Sequence, residues 1–239
     1  MTSGHTFGNR LLDALSPAFR ETFAAASSPQ RIEAGDITHE SRHLLGHVDF
    51  PIDAVLSIIA TDPNGDTSEV GAVGREAFVE VDAALESRFA ERTSICQVAG
   101  SAVRVPLEAF RTYLETNREF ARLVRRSVRA RAFVTEQIAS CNANHTIIER
   151  LARWLLTLRF RTNKDAFAFT HEALAETLAV RRAGVSTIAA TLRNAGAIDY
   201  SRGAVRIVDV DRLAEASCEC YPLSVAAIER SFLRQDDER

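Results

Sequence analysis

The chain has 239 residues, of which 46% are hydrophobic and 26% charged, and its net charge is −3. This length admits one large domain or two smaller ones, and the composition is that of an ordinary globular protein rather than a fibrous or disordered one. The slightly acidic total excludes general basicity as a route to nucleic acid, so any DNA contact has to rest on local charge; the cations are almost all arginine, Lys164 being the only lysine.

Asn9 to Ala26 has Leu11, Leu12, Leu15, Phe19 and Phe23 at helical spacing, with Pro17 placed for a break or for a first-turn position after Ser16. From Pro29 to about Val105 short apolar runs alternate with turn signals. The runs are His47–Phe50, Ala54–Ala60, Thr67–Val73, Thr93–Val98 and Ala102–Val105. Turn signals stand at Ala34-Gly35-Asp36, Pro51-Ile52-Asp53 and Asp62–Asp66, where Asn64-Gly65 is the strongest hairpin signal. Evenly spaced short strands of this kind predict a small β-sandwich or barrel.

Leu107–Asn117 reads as a short helix, and a long one follows from Arg118 to Asn144. Phe120, Val124, Val128, Val134 and Ile138 step along it at coiled-coil-like intervals, which predicts a homodimer seam flanked by arginine stems. His145–Phe160 is a further amphipathic helix, and two asparagines between residues 142 and 144 mark a domain boundary. The charged tail, Gln235–Arg239, is expected to fray.

Residues 170–208 hold the densest pattern. Thr170 is suited to N-cap a first helix carrying Ala173, Leu174, Thr177 and Leu178, and the periodicity breaks at Ala179-Val180. A second helix begins near Arg181 or Arg182, buries Val185, Ile188, Ala189 and Leu192, and ends at Gly196. Two short strands, Ala197–Tyr200 and Ala204–Val208, are joined through Ser201-Arg202-Gly203. This is a helix–turn–helix with a wing. Arg181, Arg182, Ser186, Thr187 and Arg193 face away from the apolar stripe, in a helix that fits the major groove of double-stranded DNA.

In this order the parts resemble the Crp/Fnr family of bacterial transcription regulators. The resemblance is densest in the segments CNANHTIIERLARWLL, FTHEALAETLAVRRAGVSTIAATLRNAGAIDYSRG and CECY, with HVDFPIDAVLSII and EVGAVGREAF similar to the family's β-roll. It implies an α+β fold: a cyclic-nucleotide-binding-like, jelly-roll-like β-roll over residues 1–117, a dimerisation helix over 118–144, and a winged helix–turn–helix domain over 145–239. It further implies a cytoplasmic homodimer on promoter DNA, activating or repressing transcription with RNA polymerase, under a signal sensed by the β-roll. Arg182 falls on the family's guanine-reading arginine. Ala183 stands where members often carry a base-contacting glutamate, and Arg202 matches a phosphate-contacting wing position.

For the effector pocket the resemblance points to Gly74, Arg75, Glu76, Ser87, Arg88 and Thr135. Glu86-Ser87 stands in place of the family's phosphate-gripping Arg-Ser pair. A carboxylate facing a phosphate is repulsive, which counts against a cyclic nucleotide. An iron–sulfur cluster takes four thiolates, commonly clustered near the N-terminus in this family, and no cysteine precedes Cys96, which counts against that cofactor as well.

The cysteines Cys96, Cys141, Cys218 and Cys220 have no disulfide-framework spacing, which fits a reduced compartment. No apolar run reaches the ~20 residues of a membrane span, so no membrane partner is expected. Cys141 and His145, four apart, share a helix face, a spacing that could hold a metal or place a redox thiol at the domain hinge, but they read as a small core cysteine and a capping or hydrogen-bonding histidine; Cys218 and Cys220 read as packing, and no metal site is expected. No catalytic motif is present, and the chain reads as a non-enzyme. Two other classes compete: a winged-helix protein–protein adaptor in which Arg181 and Arg182 meet an acidic partner, and an enzyme using Cys141 and His145.

Overall fold

The computed structural model describes residues 5–169, 171–178, 182–201 and 203–233, with 171–173, 176, 182 and 183 described by their backbone alone. The expectations for Thr170, Ala179-Val180, Arg181, Arg202 and the tail at 235–239 fall outside the described residues.

Two helices open the chain, α1 (Arg10–Asp13) and α2 (Pro17–Ala25), so the single helix expected from Asn9 is broken, with Pro17 at the start of the second. Buried Asn9 fixes the entry: its Oδ1 accepts from the backbone of Leu11 and Leu12, and its Nδ2 donates to the carbonyls of Pro51 and Ala77. The β-roll that follows has two antiparallel sheets. One orders β1 (Ser28–Ile32), β7 (Gly100–Pro106) and β3 (His47–Pro51) as β1-β7-β3. The other orders β2 (Ile37–His39), β6 (Thr93–Val98), β4 (Val55–Thr61) and β5 (Thr67–Val73) as β2-β6-β4-β5. The hairpin between β4 and β5 turns at Gly65, whose φ is +92.

Strand alternation explains why β4 is apolar on both faces. Leu56 and Ile58 point into the roll with Ile32, Val73 and Cys96, whereas Val55 joins the core of the C-terminal domain. A strand covered on both faces reads as a continuous apolar run. The outer face of the other sheet is closed by α1, α2, α4 (Leu107–Thr116) and the start of α5, through a phenylalanine cluster of Phe19, Phe23, Phe50, Phe78, Phe110 and Phe120. A one-turn helix, α3 (Val81–Ala84), crosses between β5 and β6.

The long helix α5 (Arg118–Asn144) starts on Asn117, whose side chain accepts from the Phe120 backbone at 2.8 Å. It ends at His145, whose extended backbone (φ −111, ψ 150) makes the bend. The joint is therefore at His145-Thr146, just past the expected asparagines, and Thr146 with Glu149 forms a reciprocal capping box on α6 (Ile147–Thr162). The winged domain then adds β8 (Ala166–Ala168), α7 (His171–Leu178), α8 (Arg182–Asn194), β9 (Ile198–Ser201), β10 (Ala204–Ile207) and α9 (Val210–Glu215). A last helix, α10 (Cys220–Arg230), returns along α5, where Arg10 pairs with Glu229 at 2.7 Å and lies over the Phe232 ring.

The structure corrects the expected dimer seam. Phe120 and Val124 are fully buried in the protomer's own core, and Val128 packs against the same cluster. Val134 is buried at 8% exposure, and Ile138 lines a crevice with α6 and α10. The apolar stripe of α5 is used up by its own β-roll and C-terminal helix.

Candidate nucleic-acid interface and sensor pocket

α8 buries Val185, Ile188, Ala189 and Leu192 against α6 and the wing, as its periodicity predicts. Its opposite side exposes Ser186, Thr187, Thr191 and Arg193. The helix opens at Arg182, so that residue lies on its N-terminal turn, the part of a recognition helix that reaches base edges. Beside it, the β9–β10 wing pairs Ser201 with Ala204, and Gly203, just before β10, takes a left-handed backbone at φ +76. The Phe169 backbone donates to the Gly203 carbonyl at 2.8 Å and anchors the root of the wing. The exposed face therefore holds a short helix with hydroxyl and arginine side chains beside the β9–β10 wing, and an α-helix is an element that the major groove admits.

Of the six residues expected in the sensor pocket, three converge. Glu76 and Thr135 line one cavity between β5 and α5, and Gly74 borders it. Two residues that sequence reading missed complete it: Arg131, one turn before Thr135 on the same helix face, and Arg161 from α6. Arg161 Nε donates to Glu76 Oε1 at 2.9 Å, with both side chains at 5–6% exposure. Gly74 is what lets Arg161 in, since a β-carbon there would stand 2.5 Å from that of Arg161.

The remaining three lie elsewhere, which corrects their assignment. Arg75 offers its carbonyl to the Arg10 backbone at 2.7 Å. Ser87 is turned back on the Phe89 carbonyl, and its own carbonyl accepts from Arg111. Arg88 is exposed, with its carbonyl taken by the Leu45 backbone. The cavity that remains is about 30 Å³, room for one water, whereas ligand pockets run to several hundred Å³. A cyclic nucleotide does not fit this pocket while Arg161 occupies it.

The same ion pair fastens the two domains together. Lys164 Nζ lies 2.9 Å from Asp53 Oδ2, Gln97 Nε2 donates to Thr177 Oγ1 at 3.3 Å, and α7 packs on β5.

A winged helix–turn–helix joined to a β-roll by one long helix defines a class, the DNA-binding transcription regulators built on this two-domain plan. Residues 149–216 match the Crp-like helix-turn-helix domain. No curated protein matches the chain by sequence. Among solved structures it is similar to a CRP-family transcriptional regulator from Thermus thermophilus, at 17% identity and TM-score 0.65, covering 79% of this chain and 96% of that one. It is similar also to FixK2 from Bradyrhizobium japonicum, at 12% identity and TM-score 0.66, covering 80% and 98%. A third, CLP of Xanthomonas campestris, described as a c-di-GMP-responsive global regulator, matches at 18% identity and TM-score 0.64, covering 81% and 100%. The Crp-like helix-turn-helix makes the chain a DNA-binding transcription regulator, and its fold is that of the solved regulators of the CRP/FNR kind. No helix among the described residues is long and apolar enough to cross a membrane.

Proposed function

We propose that this regulator reads promoter DNA as a homodimer, with Arg181, Arg182, Ser186, Thr187 and Arg193 at the major groove and Arg202 at the backbone, and that the β-roll controls access to DNA. One observation carries the control: Arg161 of the DNA-binding domain fills the sensor cavity and pairs there with Glu76. A small molecule that claims Glu76 or Arg131 has to displace Arg161, and so couples binding to the seating of the winged domain. RNA polymerase is the natural partner of a promoter-bound dimer. Cys141, at 0% exposure, is closed to a substrate, which favours the regulator reading over an enzyme.

The helix and the wing should fail differently when changed. A bidentate arginine–guanine contact is worth about 1–3 kcal/mol of discrimination, whereas a phosphate contact carries no sequence information but releases a counterion. Arg182→Ala should therefore weaken operator binding by about that amount and relax one base pair per half-site. Arg202→Ala should weaken operator and scrambled DNA alike and lower the salt slope by roughly one. Salt titrations of both variants on both duplexes distinguish these outcomes. Equal weakening on both duplexes by Arg182→Ala would remove α8 from base reading. No effect of either change would favour the protein–protein adaptor.

A further inference from the structure

Sequence reading finds no partner for Cys218 and Cys220, because none is near them along the chain. The fold supplies two. Cys141 from the last turn of α5 and His145 from the bend meet Cys218, from the turn after α9, and Cys220, the first residue of α10. The three sulfurs and a ring nitrogen of His145 all lie within 4.8 Å of one another. Cys141 Sγ is 3.5 Å from Cys218 Sγ, and Cys220 Sγ is 3.5 Å from His145 Nδ1. The cysteines are at 0%, 3% and 1% exposure.

We infer that Cys141, His145, Cys218 and Cys220 form a tetrahedral Cys₃His site for a single zinc(II) ion, clamping the C-terminal helix to the joint between the two domains. With metal–sulfur bonds of about 2.3 Å and metal–nitrogen bonds of about 2.0–2.1 Å, such a tetrahedron has edges of about 3.5–3.8 Å. The two close approaches already have that length. A small contraction of the other edges closes the polyhedron. An iron–sulfur cluster spreads its thiolates over several irons and would hold them farther apart than ligands of one ion.

The surroundings are those of a ligand set. His145 turns Nδ1 to the sulfurs, and its Nε2 faces Glu219 Oε1 at 3.5 Å, the carboxylate–histidine arrangement that orients a metal-binding imidazole. Gln137 Nε2 donates to Cys220 Sγ at 3.1 Å. Three thiolates, one neutral imidazole and a dication leave one net negative charge, and the buried Arg153 guanidinium beside Cys141 offsets it. Binding involves no redox step: the ion gains four bonds, and each thiol that ligates releases its proton to solvent. The other histidine cluster, His39, His47 and Asp49, lacks this character, because Arg104 holds both oxygens of Asp49 at 2.7 and 2.8 Å.

The test is elemental analysis and cobalt(II) substitution of the full-length chain, purified under reducing conditions without a polyhistidine tag. One zinc per chain is expected, and its replacement by cobalt(II) should give thiolate-to-metal charge transfer with the intense d–d bands of tetrahedral coordination. Cys218→Ser and Cys141→Ser should lose both signals. His145→Cys should keep them as a four-thiolate site, and Cys96→Ser, which alters a cysteine inside the β-roll, should keep them unchanged. Glu219→Ala should keep the stoichiometry and weaken affinity about tenfold.

Should the cysteine variants not fold, the wild type stripped by a chelator and checked by circular dichroism must still rebind one zinc with the same cobalt spectrum. A wild-type protein with no zinc and no thiolate–cobalt band would overturn the site. So would a Cys141–Cys218 disulfide as the only state isolated, or full zinc content in Cys218→Ser.

Discussion

Glu80 shows how burial sets chemistry at a single residue. Its side chain and that of His39 are each at 4% exposure and lie 3.6 Å apart. Burial, with the negative charge of Asp82 adding and Arg131 opposing, pushes the Glu80 carboxyl from 4.5 up to about 7. Burial, with His47 adding, pushes His39 from 6.5 down to about 4. Between those values the pair is neutral on both sides, a contact between an acid and an imidazole rather than an ion pair. The two groups act on stability in opposite senses. The Glu80 contribution is fully present below its unfolded value of 4.5 and is lost as pH rises through 7; the His39 contribution is present above 6.5 and is lost as pH falls through 4. Glu80→Gln removes the first and leaves the second. The variant should therefore gain stability over wild type between pH 5 and pH 8, by about 2–3 kcal/mol in urea titrations. A difference that does not change with pH would show that Glu80 is ionised throughout.

Among the elements, α5 carries the clearest lesson. Its helical period is plain in the sequence, but a period does not say which of two faces meets the partner. Phe120 and Val124 face the protomer's own core and Val134 its cavity, and the exposed face is another heptad: Arg118, Arg125, Arg129, Ala132, Glu136, Ala139 and Ala143, with Arg122 half-buried between them. We place the dimer seam on its C-terminal half, where alanines allow two helices to approach and exposed Phe133 flanks them. The arginine half would repel its own copy and splay. Ala139→Glu, on an exposed position, should give folded monomers by sedimentation at micromolar concentration and weaken operator binding, since two half-sites must be read together. A variant that remains dimeric would move the seam elsewhere.

Other elements were legible to differing degrees for physical reasons. The runs Thr67–Val73 and Thr93–Val98 coincide with β5 and β6 because turns bound them on both sides. β1 escaped because it contains Pro29 and buries only Ile32, and β2 because it is three residues long. The base-reading helix was legible because its signals are local. Arg161, 85 residues from Glu76, and Cys218, 77 from Cys141, give no local sign of what they meet.

For the whole molecule, the question is what the seated winged domain does. In a helix–turn–helix the first helix crosses the DNA backbone while the second enters the groove. Here that first helix, α7, packs on β5, and Gln97 reaches Thr177 on it. The seated state therefore competes with DNA for the same helix, and loosening it should favour binding. Breaking Glu76–Arg161 is a poor test, because an unpaired buried charge costs about 3–5 kcal/mol and endangers folding. Lys164–Asp53 is better: both side chains are partly exposed, at 42% and 36%, and the pair lies at the edge of the interface. An exposed pair contributes up to about 1 kcal/mol, and reversing one charge replaces attraction with repulsion of similar size. Lys164→Glu should thus raise the DNA-competent fraction, tightening operator binding about fivefold at low salt, with the gain fading as salt screens the repulsion. Small-angle scattering should show a larger radius of gyration for the variant without DNA, and Lys164→Glu combined with Asp53→Lys should restore both values. Weaker operator binding by Lys164→Glu, reversed in the double variant, would mean that the seated arrangement is the one that binds DNA.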